Sequence, residues 1–276
     1  MDGIDAMGGG GTEGPETVVG SVVSRDTTAI AFERRGSGPP IILVGGAFCD
    51  RNFSGPLADL LAADFTVISY DRRGRGDSSD VVPYAVAREV DDLEALIEAA
   101  GGRPAILFGV SSGAILCVEA AADGLPVAGL ALVEPPYSVE GGREVPDLTQ
   151  DYTQLCESGR RGDAVALFMT RAVGQPQEAV EEVRAGPMWG ALEAMAHTLA
   201  YDSRISALGV PSPQRAAAVA VSALCIASTG SPPWLRGGAQ ALSERLPQGR
   251  YLLLDGEFHQ PRPDLIAEEI SKTFLA

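Results

Sequence analysis

The sequence predicts an α/β protein: a mostly parallel central sheet with helices on both faces and an inserted helical cap. Three observations predict it. Short continuous apolar runs at residues 41–44, 65–70, 104–108 and 127–133 alternate with stretches of helical period, the pattern of a parallel sheet covered on both faces. Gly109-Val110-Ser111-Ser112-Gly113 stands between one such run and an apolar, helix-prone stretch, residues 114–122. From Tyr137 to about Arg215 the alternation stops and helical patterns take over.

Residues 18–23 and 29–34 alternate as an opening hairpin with Asp26-Thr27-Thr28 at its turn, and Gly36 to Pro40 then punctuates the chain. The strand at 41–44 ends in Gly45-Gly46-Ala47-Phe48. A helix over 56–63 leads to the strand at 65–70, which closes in the loop 71–79. Val86, Val90, Leu93, Leu96 and Ile97 recur at helical spacing over 86–100. The strand at 127–133 is stopped by Glu134-Pro135-Pro136, because proline removes a donor and disfavours helix before it. Helices are expected at 163–172, 176–184 and 188–201; then come a strand at 223–227, a helix at 236–246, a strand at 251–254 and a closing helix at 263–274. The expected organisation is a lead-in over 1–17 without fixed structure, a core of 18–136 and 216–276, and a helical cap of 137–215.

Composition excludes several classes. With 45% hydrophobic residues in 276, the chain can bury a large core. Lys plus Arg number 21 against 37 Asp plus Glu, and a formal charge of −16 repels phosphate backbones, so neither nucleic acid nor an anionic membrane is an expected partner. Cys49, Cys117, Cys156 and Cys225 are scattered and read as reduced thiols; with two histidines there is no metal-ligand spacing, and no cofactor is implied. The glycine-rich, slightly acidic start reads as neither signal peptide nor anchor, which points to the cytoplasm. A small molecule is the expected partner, and a monomer and a homodimer both fit.

A serine hydroxyl becomes a nucleophile only when held exposed, beside a base and next to N–H groups that stabilise an oxyanion. Strand, sharp turn and helix around Ser111 provide that geometry, with Gly109 and Gly113 allowing the tight turn. Ser112 in the nucleophile's place would put Val110 and Ala114 at the flanks, and a β-branched valine opposes the strained turn. The base is His197, within a helical stretch, or His259, in the loop after the last strand; His259 is preferred because it shares the sheet edge with Ser111. The loop 71–79 has neither phosphate-binding spacing, and its arginines are expected to brace it against Asp71 and Asp77.

Gly-Gly-Ala-Phe at 45–48, Tyr-Asp-Arg-Arg-Gly-Arg-Gly-Asp-Ser at 70–78, Ser-Ser-Gly-Ala at 111–114, Glu-Pro-Pro at 134–136 and the late Gly256-Glu257-Phe258-His259 occur in the order that resembles the α/β-hydrolase superfamily, in particular its actinobacterial-type group. The resemblance runs from about Val18 to the end and implies the α/β-hydrolase fold. It further implies Ser111 as nucleophile, His259 as general base, and the backbone N–H groups of Ala47 and Ser112 as the oxyanion hole, flanked by Phe48. The chain departs from the pattern at Val110, where relatives carry histidine, and at Glu257-Phe258. It departs again at 228–232, Ser-Thr-Gly-Ser-Pro, where many relatives place the triad aspartate. Glu134, ending the strand after the nucleophile helix, is the expected acid, with Asp202, Asp255 and Glu257 as alternatives.

Tyr137, Tyr152, Phe168, Met169, Met188, Trp189, Met195 and Trp234 divide between core and a pocket between cap and sheet, most of them going to the core; Phe48, Tyr137, Met169, Trp189 and Trp234 are expected at the pocket together with His197. The function expected is hydrolysis of an ester, lactone or related acyl bond in a small apolar molecule. Arginine in place of nearly all lysine, with abundant Ala and Gly, points toward secondary metabolism. One alternative is a non-hydrolytic tailoring enzyme of natural-product biosynthesis on the same fold, motivated by the missing late aspartate. Another is a small-ligand binder without catalysis.

Overall fold

The computed structural model describes residues 17–140 and 142–275, so the lead-in expected over 1–17 lies, but for Thr17, outside the described residues. Strands β1 (Val18–Val23) and β2 (Ala29–Arg35) form the opening antiparallel hairpin. Strand β2 pairs antiparallel with β4 (Thr66–Tyr70), which pairs parallel with β3 (Pro40–Val44). The sheet continues in parallel through β5 (Ala105–Val110), β6 (Val127–Val133), β7 (Ala223–Ser228) and β8 (Gly249–Leu254), giving the order β1-β2-β4-β3-β5-β6-β7-β8.

Alternate residues of the central strands feed two separate cores. Ile42, Val44, Leu107 and Leu132 pack against α2 (Val86–Ala99) and α3 (Ser112–Ala122) on one face. Ile41, Leu43, Phe108 and Val133 pack on the other against α1 (Gly55–Leu61) and the closing helix (Pro263–Phe274). Two-sided burial explains why the central strands read as unbroken apolar runs.

Between β6 and β7 the described chain is helical: α4 (Thr149–Glu157), α5 (Arg161–Leu167), a π-helix (Phe168–Val173), α6 (Gln177–Arg184), α7 (Trp189–Met195), a 3₁₀ turn (Ala196–Thr198), α8 (Leu199–Ser206) and α9 (Pro213–Ala218). The single helix expected over 188–201 is broken at the 3₁₀ turn, where the Thr198 hydroxyl donates to the Met195 carbonyl at 2.8 Å, a back-bond that tightens and bends a helix. Helix α4 escapes the sequence pattern because only Tyr152 along it is fully buried. The expected boundary at 215 falls inside α9. Ile205, Ala216 and Val219 join the core around α3, whereas Leu148, Tyr152, Val165 and Leu199 form a third cluster over the sheet edge.

Parallel strands deliver their C-terminal ends to one edge. The registers Val44↔Gly109, Val110↔Val133 and Val133↔Ile226 place the exits of β3, β5, β6 and β7 side by side. Beyond β8, a two-residue hairpin, β9 (Gly256–Glu257) with β10 (Gln260–Pro261), carries Phe258-His259 at its tip, a device the sequence pattern did not foretell.

Candidate active site

Four of the five non-glycine residues with positive φ among the described residues stand at this edge: Phe48 (58°), Ser111 (57°), Glu134 (45°) and His259 (58°). The fifth, Thr27, makes the β1–β2 turn. Such conformations cost of order 1–3 kcal/mol each and persist where surrounding structure enforces them, commonly at active sites. At Ser111 the enforcement is visible. Its N–H donates to the Val133 carbonyl at 2.9 Å, and α3 begins immediately after it. A Cβ on Gly109 would come within 2.6 Å of the Gly113 carbonyl oxygen, and one on Gly113 within 2.3 Å of the Val44 oxygen. Only glycine allows β5 to turn into α3 this closely.

Glu134 is wholly buried at the end of β6. Its Oε2 lies 2.7 Å from His259 Nδ1 and accepts the Ser231 hydroxyl at 2.9 Å; its Oε1 accepts the Ser228 N–H at 2.8 Å. Ser231 Oγ in turn accepts the His259 N–H at 2.8 Å. The end of β7 and the loop after it therefore supply no carboxylate; they supply the donors that satisfy one, the Ser228 N–H and the Ser231 hydroxyl. A carboxylate so held fixes the imidazole by its Nδ1 side and leaves Nε2 for other work.

Asp202 does not approach His259. It accepts from Arg72 at 2.8 Å, Arg75 at 2.7 Å and the Ser112 hydroxyl at 2.7 Å. Asp255 is half of an exposed contact with Thr229, and Glu257 is exposed in β9. Burial pushes the Asp202 carboxyl up, but the Arg75 and Arg72 charges and the Ser112 bond outweigh it and hold the group below the ordinary aspartate range. Arg72 also pairs with Glu89 at 2.6 Å and donates to the Gly45 carbonyl at 3.2 Å, while Arg75 donates to the Gly46 carbonyl. This buried network ties the Gly45-Gly46 turn, the start of α3 and α8 together. Loop 71–79 is braced differently from the expectation: Asp71 and Asp77 are held from outside it by Arg51, at 2.7 Å for Asp71, while its own Arg72, Arg73 and Arg75 pair with Glu89, Asp92 and Asp202.

Ser111 and His259 line one cavity of about 290 Å³ with Ala47, Ser112, Met169 and Trp234. Neither the Ala47 nor the Ser112 N–H has an acceptor among the described residues, the latter because the first N–H groups of a helix lack intrahelical partners. The π-helix lays Phe168, Met169, Ala172 and Val173 along the wall; Phe48 stands behind it, edge-on to Phe168 at 5.2 Å.

Besides Phe48, which stands behind the wall, three more of the expected pocket residues do not line the cavity. Tyr137 is 1% exposed and belongs to the core around α3. Trp189 is held by Glu193 at 2.9 Å and by the Arg184 guanidinium over its ring. His197 Nε2 lies 3.7 Å from Asp80; burial and the Arg161 charge lower its pKa. His197 lies about half a helical turn from Leu199, Asp202 and Ser206, which line the cavity, and faces Asp80 and Tyr201 instead. Of the wider aromatic set, Tyr152 and Phe168 do line the cavity; Gln175 lines it too, a placement that depends on how the π-helix packs and carries no local signal.

Comparison with known proteins agrees with this architecture. A crystal structure of an alpha/beta hydrolase from Sphaerobacter thermophilus DSM 20745 is 47% identical, covers 93% of this chain and 100% of its own, and superposes with a TM-score of 0.85. The uncharacterized hydrolase YraK of Bacillus subtilis is 39% identical over 93 residues, 33% of this chain and 34% of its own length. The N-formylmaleamate deformylase of Pseudomonas putida is 33% identical over 139 residues, 48% of this chain and 52% of that protein. The chain thus spans about a third to a half of the length of the curated relatives it matches. The alpha/beta hydrolase family matches residues 36–269, and the chain belongs to that family.

Proposed function

We propose that this protein is a serine hydrolase that cleaves an ester, lactone or related acyl bond in a small, largely apolar molecule, with a Ser111-His259-Glu134 triad. The observation that carries the reading is the 2.7 Å contact from Glu134 to His259 Nδ1 in a cavity that Ser111 shares. Ser111 Oγ attacks the carbonyl carbon as His259 Nε2 takes its proton. The resulting imidazolium is stabilised by Glu134, and the oxyanion is met by the Ala47 and Ser112 N–H groups. Collapse expels the alcohol, protonated by His259. A water deprotonated at the same nitrogen then releases the acid. The deformylase relative is consistent with this, since deformylation is also acyl transfer from a carbonyl.

A non-hydrolytic reaction drew its support from the missing carboxylate after β7, and Glu134 fills that position at Nδ1. A simple binder would have no need of strained backbone at Ser111, Glu134 and His259. The test is labelling by a fluorophosphonate with mass spectrometry of the modified peptide. Label on Ser111 that disappears in Ser111→Ala and His259→Ala is expected; folded wild type that takes no label would defeat the proposal.

A further inference from the structure

The residues that line the cavity include no lysine or arginine. Their one carboxylate, Asp202, is neutralised by Arg72 and Arg75. A carboxylate or phosphate on the substrate would lose its hydration there without gaining a cation. Of the buried polar side-chain atoms without a partner among the described residues, two belong to the cavity lining: Tyr152 Oη and Gln175 Oε1. Tyr152 is 2% exposed, whereas the hydroxyls of Tyr84 and Tyr201 are each bonded to a carboxylate at 2.8 Å. Buried hydroxyls and amides are normally paired, and one left without a partner in a residue that lines a cavity is suited to a group on the ligand. Tyr152 comes from α4 and Gln175 from the turn after the π-helix, so both stand on the helical wall, whereas Ser111 and His259 come from the sheet.

We propose that the substrate is an uncharged ester or lactone bearing a second oxygen function, an alcohol or ketone remote from the scissile carbonyl, which Tyr152 and Gln175 hold. This rests on the hydrolase reading and narrows its substrate class. Burial raises the Tyr152 pKa, with the Asp202 charge adding to it, so the hydroxyl stays protonated and donates. The Gln175 amide supplies an acceptor, or a donor when turned over, which together match an alcohol or a carbonyl. The site differs in this respect from one fitted to an anionic acyl group.

The test uses p-nitrophenyl esters of hexanoic, 3-hydroxyhexanoic and 6-hydroxyhexanoic acids and the p-nitrophenyl half-ester of adipic acid. One hydroxylated ester is expected to exceed the hexanoate in kcat/KM by about tenfold or more, since a site built to bond an oxygen discriminates against the analogue without it. The adipate half-ester is expected to fall below the hexanoate. Tyr152→Phe and Gln175→Leu are expected to pull the hydroxylated-to-plain ratio toward one. Thermal unfolding checks folding, and removing a hydroxyl without a partner is expected to leave the melting temperature of Tyr152→Phe unlowered. Equal rates on plain and hydroxylated esters, preference for the adipate, or an unchanged ratio in both variants would overturn the substrate assignment while leaving the hydrolase reading standing. Fluorophosphonate labelling of Ser111 with no turnover of any ester would overturn it too. Absence of both labelling and turnover would instead overturn the hydrolase reading and this inference with it.

Discussion

Glu134→Gln isolates the part of the site that the sequence pattern left most open. Oε1 accepts a backbone N–H from Ser228, a donor with no alternative role, so the carbonyl oxygen of a glutamine must occupy that position. Its NH₂ group then replaces Oε2 and directs a donor at His259 Nδ1 and at Ser231. Facing a donor, Nδ1 becomes the acceptor and the ring proton moves to Nε2, the nitrogen that must take the proton of Ser111. The fold is retained, because the substitution is isosteric and the Ser228 bond survives. The catalytic loss is that of a wrong tautomer, for which a fall of about 10⁴-fold in kcat is the measure from serine proteases, or about 5.4 kcal/mol of transition-state stabilisation at 1.36 kcal/mol per decade. Steady-state hydrolysis of p-nitrophenyl hexanoate and the rate of fluorophosphonate labelling read it out, with KM changing much less than kcat. A loss smaller than about tenfold in a folded variant would refute the reasoning and place the orienting group elsewhere.

Asp202→Asn leaves Arg75 without its carboxylate and turns an amide donor toward a guanidinium, and breaking a buried pair of this kind costs about 3–5 kcal/mol by denaturant unfolding; a loss below about 1 kcal/mol would show that the network is not under load. Because the folded pKa of Asp202 is lowered, its stabilisation is present above the unfolded value near 3.9 and is lost as pH falls through the folded value, so the stability difference between wild type and Asp202→Asn is expected to narrow on acidification below about pH 4. Gly113→Ala puts a Cβ within 2.3 Å of the Val44 oxygen and 2.7 Å of the Gly45 oxygen, both backbone, and is expected to abolish ester hydrolysis or soluble expression; near-wild-type kcat/KM would contradict the tight turn. Cys117 and Cys225 are buried with thiol pKa values pushed up by burial, that of Cys225 to about 12, so thiol-reagent titration is expected to modify at most Cys49 and Cys156 before unfolding. Reaction at Cys117 or Cys225 in the native protein would contradict their placement.

The sequence by itself determined what depends on local pattern. Apolar runs such as 41–44 and 127–133 mark strands buried on both faces; Gly109 and Gly113 mark the turn that exposes Ser111. The proline pair after Glu134 ends β6 with that residue at the sheet edge, and the closing helix follows Pro263 as the period predicts. Once strands are parallel, their loops share an edge, and so Ser111, Glu134 and the segment bearing His259 were bound to converge. Tertiary structure decided what depends on packing between elements distant in sequence. It made Glu134, and not Asp202, the partner of His259, because Ser228 and Ser231 turn their donors to one carboxylate while Arg72 and Arg75 claim the other. It sent Tyr137 to the core and His197 away from the cavity, while bringing Tyr152 and Gln175 to it, although all four lie in helical or loop sequence of similar character. Helical periodicity fixes which residues share a stripe. The direction that stripe faces is set by the elements it packs against, which turn Leu199, Asp202, Ser203 and Ser206 to the cavity and leave His197 on the Asp80 side.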